Sequence, residues 1–312
     1  MSVGVGPHND NILSDVSFSV GAGEIVGLVG ESGSGKTMLS LALMGLLPKG
    51  VTLTSGVIKV EDSELVDKQT GLVHRTPHQI AMIFQNPKNA LNPTMRVGAQ
   101  VARALKINQG LNKKEAKVES LKLLADVGLP GSHQIAEKFA HQLSGGMCQR
   151  VVIAMALACQ PRVLIADEPT TGLDVTIQAQ IFDLIRKVRD KTGCAVIFIS
   201  HDLAAVSELC ERVAVLYRGQ LMEVTSKDEI FSQARHPYTK LLINSVTMEN
   251  QIVVIERSSE VFPVGCRFAH RCPEMIDQCV QRPPFQSISP SHWVSCHLVT
   301  NSIEVGGAHA TH

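Results

Sequence analysis

Gly30, Glu31, Ser32, Gly33, Ser34, Gly35, Lys36 and Thr37 form the stretch whose residue types and spacing can do the most definite chemistry. They fit G-x-x-x-x-G-K-[ST], a loop whose backbone N–H groups surround an anion. Gly33 and Gly35 let successive N–H groups point at one phosphate, and a helix starting there adds positive potential. Lys36 then meets the β- and γ-phosphates, and the Thr37 hydroxyl ligates Mg²⁺. The plain alternative is a Gly/Ser turn before a helix, and context decides against it. Residues 25–29 read as a buried strand before the loop, and the almost wholly apolar residues 38–47 as a buried helix after it.

Other strand ends carry chemistry of the same kind. Residues 163–168, Val-Leu-Ile-Ala-Asp-Glu, resemble the acidic strand of a P-loop ATPase. Asp167 is placed to hold Mg²⁺, and Glu168 to orient and deprotonate a water. The following turn, residues 169–174, projects Asp174. Gln85 ends the apolar run 80–84, and His201 follows the run 195–199 and Ser200. These runs, with 25–29 and 163–166, are continuous rather than alternating, the mark of central strands covered on both faces. Ligands of open α/β sheets lie beyond the carboxyl ends of the strands, where all these residues fall. Ser144 precedes a second apolar helix, residues 147–159, as a natural N-cap. Gly145 and Gly146 expose N–H groups there, which makes a second anion site.

The elements around these ends follow from simpler patterns. Val16, Phe18 and Val20 alternate with polar residues, so 12–20 reads as a half-buried strand, as does 56–60. Residues 90–160 turn helical. Within them, 113–127 places Val118, Leu121, Leu124 and Ala125 on one face and stops at Gly128. From about residue 219 the chain reads as small and irregular, and the tail 306–312 as disordered.

The 312 residues can bury a large core and a smaller second unit. Lys+Arg and Asp+Glu are both 29, so the net charge gives no footprint for nucleic acid. The longest apolar run, residues 151–159, is about half a membrane span. The N-terminus has neither the basic flank nor the apolar core of a secretory signal. The expectation is a cytosolic chain that reaches a membrane through partners. Cys148, Cys159, Cys194 and Cys210 are scattered through apolar segments as fillers. Cys266, Cys272, Cys279 and Cys296 fall within 31 residues, a cluster that in a cytosolic protein suggests metal before disulfide.

With its Leu143-Ser-Gly-Gly motif, the chain resembles the ATP-binding-cassette (ABC) family over residues 12 to about 245, with every motif in order. The resemblance implies an α/β P-loop ATPase cassette: a mostly parallel core sheet, an antiparallel edge sheet and a helical insert at about 90–160. It implies that Gly30, Ser32, Gly33, Ser34, Gly35, Lys36 and Thr37 bind ATP. Thr37, Gln85 and Asp167 would hold Mg²⁺, Glu168 would be the base, and His201 would contact the γ-phosphate and attacking water. Gln85 would also sense the γ-phosphate and couple it to membrane subunits. Ser144, Gly145, Gly146 and Asp174 would close over nucleotide held by a second cassette, a related but different chain. The unusual Cys148 and Gly172 would lie near that interface.

Residues 85–93, 174–180 and 236–242 narrow the resemblance to the oligopeptide/dipeptide and nickel importer ATPases. There, a C-terminal extension (246–312, after a cassette at 1–245) carries four cysteines associated with a 4Fe–4S cluster. The spacing C-x₅-C-x₆-C-x₁₆-C supplies four soft ligands that suit iron–sulfur or zinc, and the resemblance favours the former. Lying beyond the ATP motifs, the cysteines are expected to affect tail order more than phosphate binding. The implied partners are two transmembrane permease subunits and, indirectly, an extracytoplasmic solute-binding protein, at the cytoplasmic face of the membrane. Val5 stands where the family stacks an aromatic ring on adenine. The edge strand expected before Ser2 is missing, which reads as a truncated or misassigned start. Two rival classes fit less well. Soluble cassette proteins acting on ribosomes or DNA carry paired cassettes or long coiled coils, and a non-enzymatic regulator would not need both Glu168 and His201. Within transport, a nickel or other small-solute importer is the alternative.

Overall fold

Long apolar runs become parallel strands because both faces need cover. The computed structural model describes residues 1–6, 10–67, 73, 79–247 and 264–299, and sets the four runs in one sheet. They are β3 (Ile25–Val29), β7 (Ile80–Ile83), β8 (Val163–Asp167) and β9 (Ala195–Ser200). The eight-stranded sheet runs β12-β13-β11-β10-β3-β9-β8-β7, with β10 (Arg212–Tyr217), β11 (Gln220–Ser226), β12 (Gln286–Ser289) and β13 (His292–Val294). The parallel register pairs Val29 with Ser200, Asp167 with Ile199 and Ile83 with Ala166, which brings the four carboxyl ends to one edge. Strand β7 ends the sheet rather than lying within it, and helices still cover it.

A second sheet holds β1 (Ser2–Val5) between β2 (Asp10–Leu13) and β4 (Val51–Ser55), all antiparallel. The expected strand 12–20 therefore stops early: Asp15 turns the chain with φ 45°, although Val16 still points inward. Residues 56–60 reduce to β5 (Lys59–Val60), which pairs with β6 (Ser63–Glu64).

The helical insert comprises α2 (Pro87–Ala90), α3 (Val97–Gln109), α4 (Lys113–Asp126), α5 (Ser132–Ala136) and α6 (Gly145–Leu157). Asn112 and Glu115 close a capping box at the start of α4, and Gly128 ends it with φ 75°. Its buried side is Ala116, Ser120 and Leu124, whereas Val118 and Ala125 are exposed. The buried face is rotated from the expected one: Leu124 stays at its centre and Leu121 is half-buried, while Ala116 and Ser120 take the places of Val118 and Ala125.

After β3 comes α1 (Lys36–Leu43), and after β8 comes α7 (Val175–Thr192). Then follow α8 (Leu203–Leu209), α9 (Lys227–Gln233) and α10 (Pro237–Thr247). Residues from 219 to 247 are thus regular, against expectation: β11 is a buried strand that joins the main sheet. The tail 306–312 lies outside the described residues. Cys148, Cys194 and Cys210 are buried in the core and Cys159 is half-buried, as fillers should be. Cys266, Cys272 and Cys279 join the same core, and the β12–β13 hairpin pairs with β11.

Candidate functional site

The phosphate loop occupies the turn between β3 and α1. Gly30 has φ 156°, and a Cβ there would sit 2.1 Å from the Leu216 carbonyl oxygen. Gly35 has φ 103°, which a side chain rarely adopts. The Lys36 ammonium, 7% exposed, donates to the carbonyls of Gly30 at 2.7 Å and Glu31 at 3.0 Å. Ser34 is buried beside it, while Ser32, Gly33 and Thr37 are exposed.

Burial pushes the Lys36 ammonium below its usual range, opposed by the charges of Glu168, Asp167 and Glu31. Burial pushes the Asp167 carboxyl up, opposed by a hydrogen bond from the Thr37 hydroxyl. A buried cation and a buried anion, each costly when charged, fit a polyphosphate–Mg²⁺ ligand that supplies both counter-charges. Thr37 and Asp167 are the residues that would hold the ion.

Beyond Asp167 the chain turns sharply. Glu168 has φ 46°, in the left-handed region where a glutamate costs about 1–3 kcal/mol. Three side chains converge on its carboxylate. Gln85 Nε2 donates to Oε2 at 2.9 Å, Thr171 Oγ1 donates to Oε2 at 2.9 Å, and His201 Nδ1 lies 3.2 Å from Oε1. The Glu168 backbone N–H bonds the Ile199 carbonyl at 3.0 Å. Strain held by so many contacts is typical of a working group, and this one can accept a proton from water.

Ser144 caps α6, accepting from the Met147 N–H at 3.3 Å. Asp174 caps α7, accepting from the Ile177 N–H at 3.0 Å. Ser144, Gly145, Gly146, Gly172 and Asp174 line one open cleft of about 550 Å³, and no residue of 30–37 lines it. The two expected anion sites are therefore separate surfaces of this chain. Cys148, two residues beyond Gly146, is fully buried rather than lining that cleft, its thiol 3.4 Å from the Ala140 carbonyl oxygen. Val5 is 39% exposed.

All four clustered cysteines are buried. Burial pushes Cys266 up to about 12 and Cys272 up to about 11, and the neighbouring thiols add to each shift. Four buried thiols that repel one another's charge suit a soft cation. Among the described residues, however, no three His, Cys, Asp or Glu side chains are gathered as a metal site.

Sequence reasoning missed what lies between these cysteines and the phosphate loop. Arg271 reaches the Glu31 carboxylate with both terminal nitrogens, at 2.8 and 3.2 Å. The Tyr238 hydroxyl accepts from the Glu31 N–H at 2.9 Å. The cysteine segment is thus in contact with the nucleotide loop through Arg271. The one signal was that Tyr238 sits inside residues 236–242, which narrowed the family resemblance, and Arg271 beside Cys272 in the cysteine segment.

Comparison with known proteins agrees with this geometry. The ABC transporter family matches residues 13–171, and the oligopeptide/dipeptide transporter C-terminal region matches residues 222–279. The dipeptide transport ATP-binding protein DppD of Bacillus subtilis is 44% identical over 295 residues, 91% of this chain and 88% of its own. The oligopeptide transport ATP-binding protein AppD of Bacillus subtilis is 41% identical over 296 residues, 92% of this chain and 90% of its own. Among solved structures, the ATP-binding cassette MJ0796, a dimeric post-hydrolysis state with ADP and Pi, superposes with a TM-score of 0.60. It is 25% identical and covers 72% of this chain and 96% of its own.

Proposed function

The chain belongs to the ABC transporter family and is an ATPase of that family; from that premise we propose that it energises the import of di- and oligopeptides. The observation that carries hydrolysis is the convergence of Gln85, Thr171 and His201 on the strained Glu168, next to the phosphate loop. The match of residues 222–279 to the oligopeptide/dipeptide transporter C-terminal region supports the solute class.

In this reading residues 1–245 form the cassette and 246–312 its extension. Gly30 to Thr37 cradle the triphosphate, and Lys36 moves from its own carbonyls to the phosphates. Thr37, Asp167 and Gln85 would hold Mg²⁺, which when bound would offset charge on the phosphate oxygens. Glu168 takes a proton from the attacking water while His201 helps to fix that water. Ser144, Gly145, Gly146 and Asp174 act on nucleotide held by a second cassette, a related but different chain. The separation of their cleft from the phosphate loop supports that pairing.

No helix among the described residues is long and apolar enough to cross a membrane. In this reading the work is delivered to two permease subunits at the cytoplasmic face, with a solute-binding protein feeding them from outside. Cys266, Cys272, Cys279 and Cys296 hold one soft-metal centre, a 4Fe–4S cluster in preference to zinc. Anaerobically purified chain is expected to be brown with about four iron per chain. Stoichiometric zinc without iron would keep the centre and remove the cluster, and neither metal would remove both. The transport reading is tested by reconstituting the chain with its permeases and binding protein in vesicles. ATP-dependent accumulation of a labelled dipeptide is expected, and uptake of nickel but no peptide would overturn the solute class.

A further inference from the structure

Glu31 occupies a position of the phosphate loop that the chemistry of the motif leaves open, yet its N–H, its carbonyl and its carboxylate are all held. Its carbonyl accepts from Lys36 Nζ at 3.0 Å, its N–H donates to Tyr238 Oη at 2.9 Å, and its carboxylate takes a two-pronged contact from Arg271. Both outside partners come from the last third of the chain, 207 and 240 residues away.

Each partner is itself fixed. The Tyr238 ring is fully buried, 4.5 Å from Tyr217 and 5.3 Å from Phe268 between ring centres. Its N–H donates to His236 Nδ1 at 3.0 Å, and the Arg235 and His236 N–H groups donate to the buried Glu223 carboxylate. His292, from the C-terminal hairpin, holds that carboxylate at 2.6 Å. Arg271 lies over the Tyr217 and Phe268 rings and also bonds the Tyr217 hydroxyl at 3.3 Å. The segment that carries it is anchored by Arg267, which donates to the Asn11 carbonyl and the Ser14 hydroxyl. Two rigid supports of separate origin end on one residue of the loop.

We propose that Arg271 and Tyr238 are positioning residues of the nucleotide site: through Glu31 they fix the phosphate loop in the geometry that receives the triphosphate. The C-terminal extension is then a working part of ATP binding, not an appendage to it. A carboxylate inside an anion-binding loop is otherwise unfavourable, since it repels the phosphates. Arg271 neutralises it and returns its orientation to use, because a planar guanidinium fixes both carboxylate oxygens at once. This inference rests on the reading of residues 30–37 as the phosphate site, and needs nothing from the solute or the metal.

The test uses the full chain in its assembled transporter, with steady-state ATPase and equilibrium binding of ATP as readouts. Arg271→Gln is expected to raise KM for ATP by about 5–10-fold with kcat within about twofold, the pattern of lost loop positioning. Tyr238→Phe, which removes only the hydroxyl, is expected to raise KM by about threefold. Arg271→Gln with Glu31→Gln is expected to be no worse than the former alone, and Arg271→Lys to recover part of the loss. Should Arg271→Gln fail to fold, Tyr238→Phe decides alone. Unchanged KM in the variants, with at most a lower melting temperature, overturns the proposal and leaves a structural tether. Lys36→Ala separates the two readings: it must abolish ATP binding, and if it does not, the phosphate-site assignment fails instead.

Discussion

The phosphate loop and the Ser144 cleft are both built to meet an anion, yet the chain constructs them in opposite ways. The loop is seated on a central strand, closed by Asp167 and Glu168 at the carboxyl end of β8, and braced by Tyr238 and Arg271 from far along the sequence. The cleft is built from two adjacent helix starts whose capping bonds span three residues each, Ser144 to Met147 and Asp174 to Ile177. It opens on solvent, and among the described residues that line it there is no lysine; Arg150 bonds the Val127 carbonyl and Gln180, and Asp174 caps α7. A site that binds ligand within one chain needs its charges fixed in advance, because reorganising them costs binding energy. A surface that completes another chain's site needs only a stiff frame and a matching shape.

The sharpest way to break that contrast is to remove the base. Glu168→Gln is expected to keep ATP binding and lower turnover by a factor of about 10²–10⁴. Lys36→Ala should instead lose binding. Equal loss of binding in both, or an active Glu168→Gln transporter, would show that Glu168 holds ligand rather than performing chemistry.

Ser144→Arg probes the other surface. It should leave ATP binding to this chain's own loop intact and lower turnover at the partner cassette by a factor of about 10² or more. Loss of the cap alone costs α6 about 1 kcal/mol, so the melting temperature distinguishes a blocked interface from a loosened helix. Full activity from a demonstrably monomeric preparation would refute the division of labour.

Acid should loosen one region before the other. His236 is 1% exposed and neutral, and burial lowers its pKa to about 4, with Glu223 opposing the shift and Lys240 adding to it. Because the folded value lies below the unfolded one of about 6.5, its contribution is intact above that pH. It is lost as pH falls towards 4, by about 2–4 kcal/mol in all. The Glu223 carboxyl, which burial would raise but hydrogen bonds from His292, Thr239 and two backbone N–H groups hold low, stays ionised through most of that window. Hydrogen exchange at pH 5 should open residues 236–247 and 266–272 before α6. His236→Asn keeps an acceptor for the Tyr238 N–H without titrating, and should remove much of this acid sensitivity. Uniform loss of protection, or no change in the variant, would place the weak point elsewhere.

Much of the loop and the acidic strand was legible in sequence because their determinants are local. A glycine pattern sets a turn, a continuous apolar run sets a buried strand, and strand ends of one parallel sheet share an edge by construction. The face of α4 and the path of residues 14–20 were read less well, because packing against neighbours decides which of several short apolar residues turns inward. Strand β11 escaped notice since Glu223 and Thr225 interrupt its apolar pattern, and both are buried only because other segments supply their partners.

The sequence by itself therefore determined the family and its kind of chemistry, and named the candidate residues for it. It could not determine that Glu31, Tyr238 and Arg271 meet, that Cys148 turns inward, or that Gln85 and His201 share one carboxylate. Those facts depend on contacts between segments from about 30 to 240 residues apart, or on which side of a helix faces the core. Local propensity carries no information about such pairings. Only closure of the sheet and burial of its aromatic cluster select them.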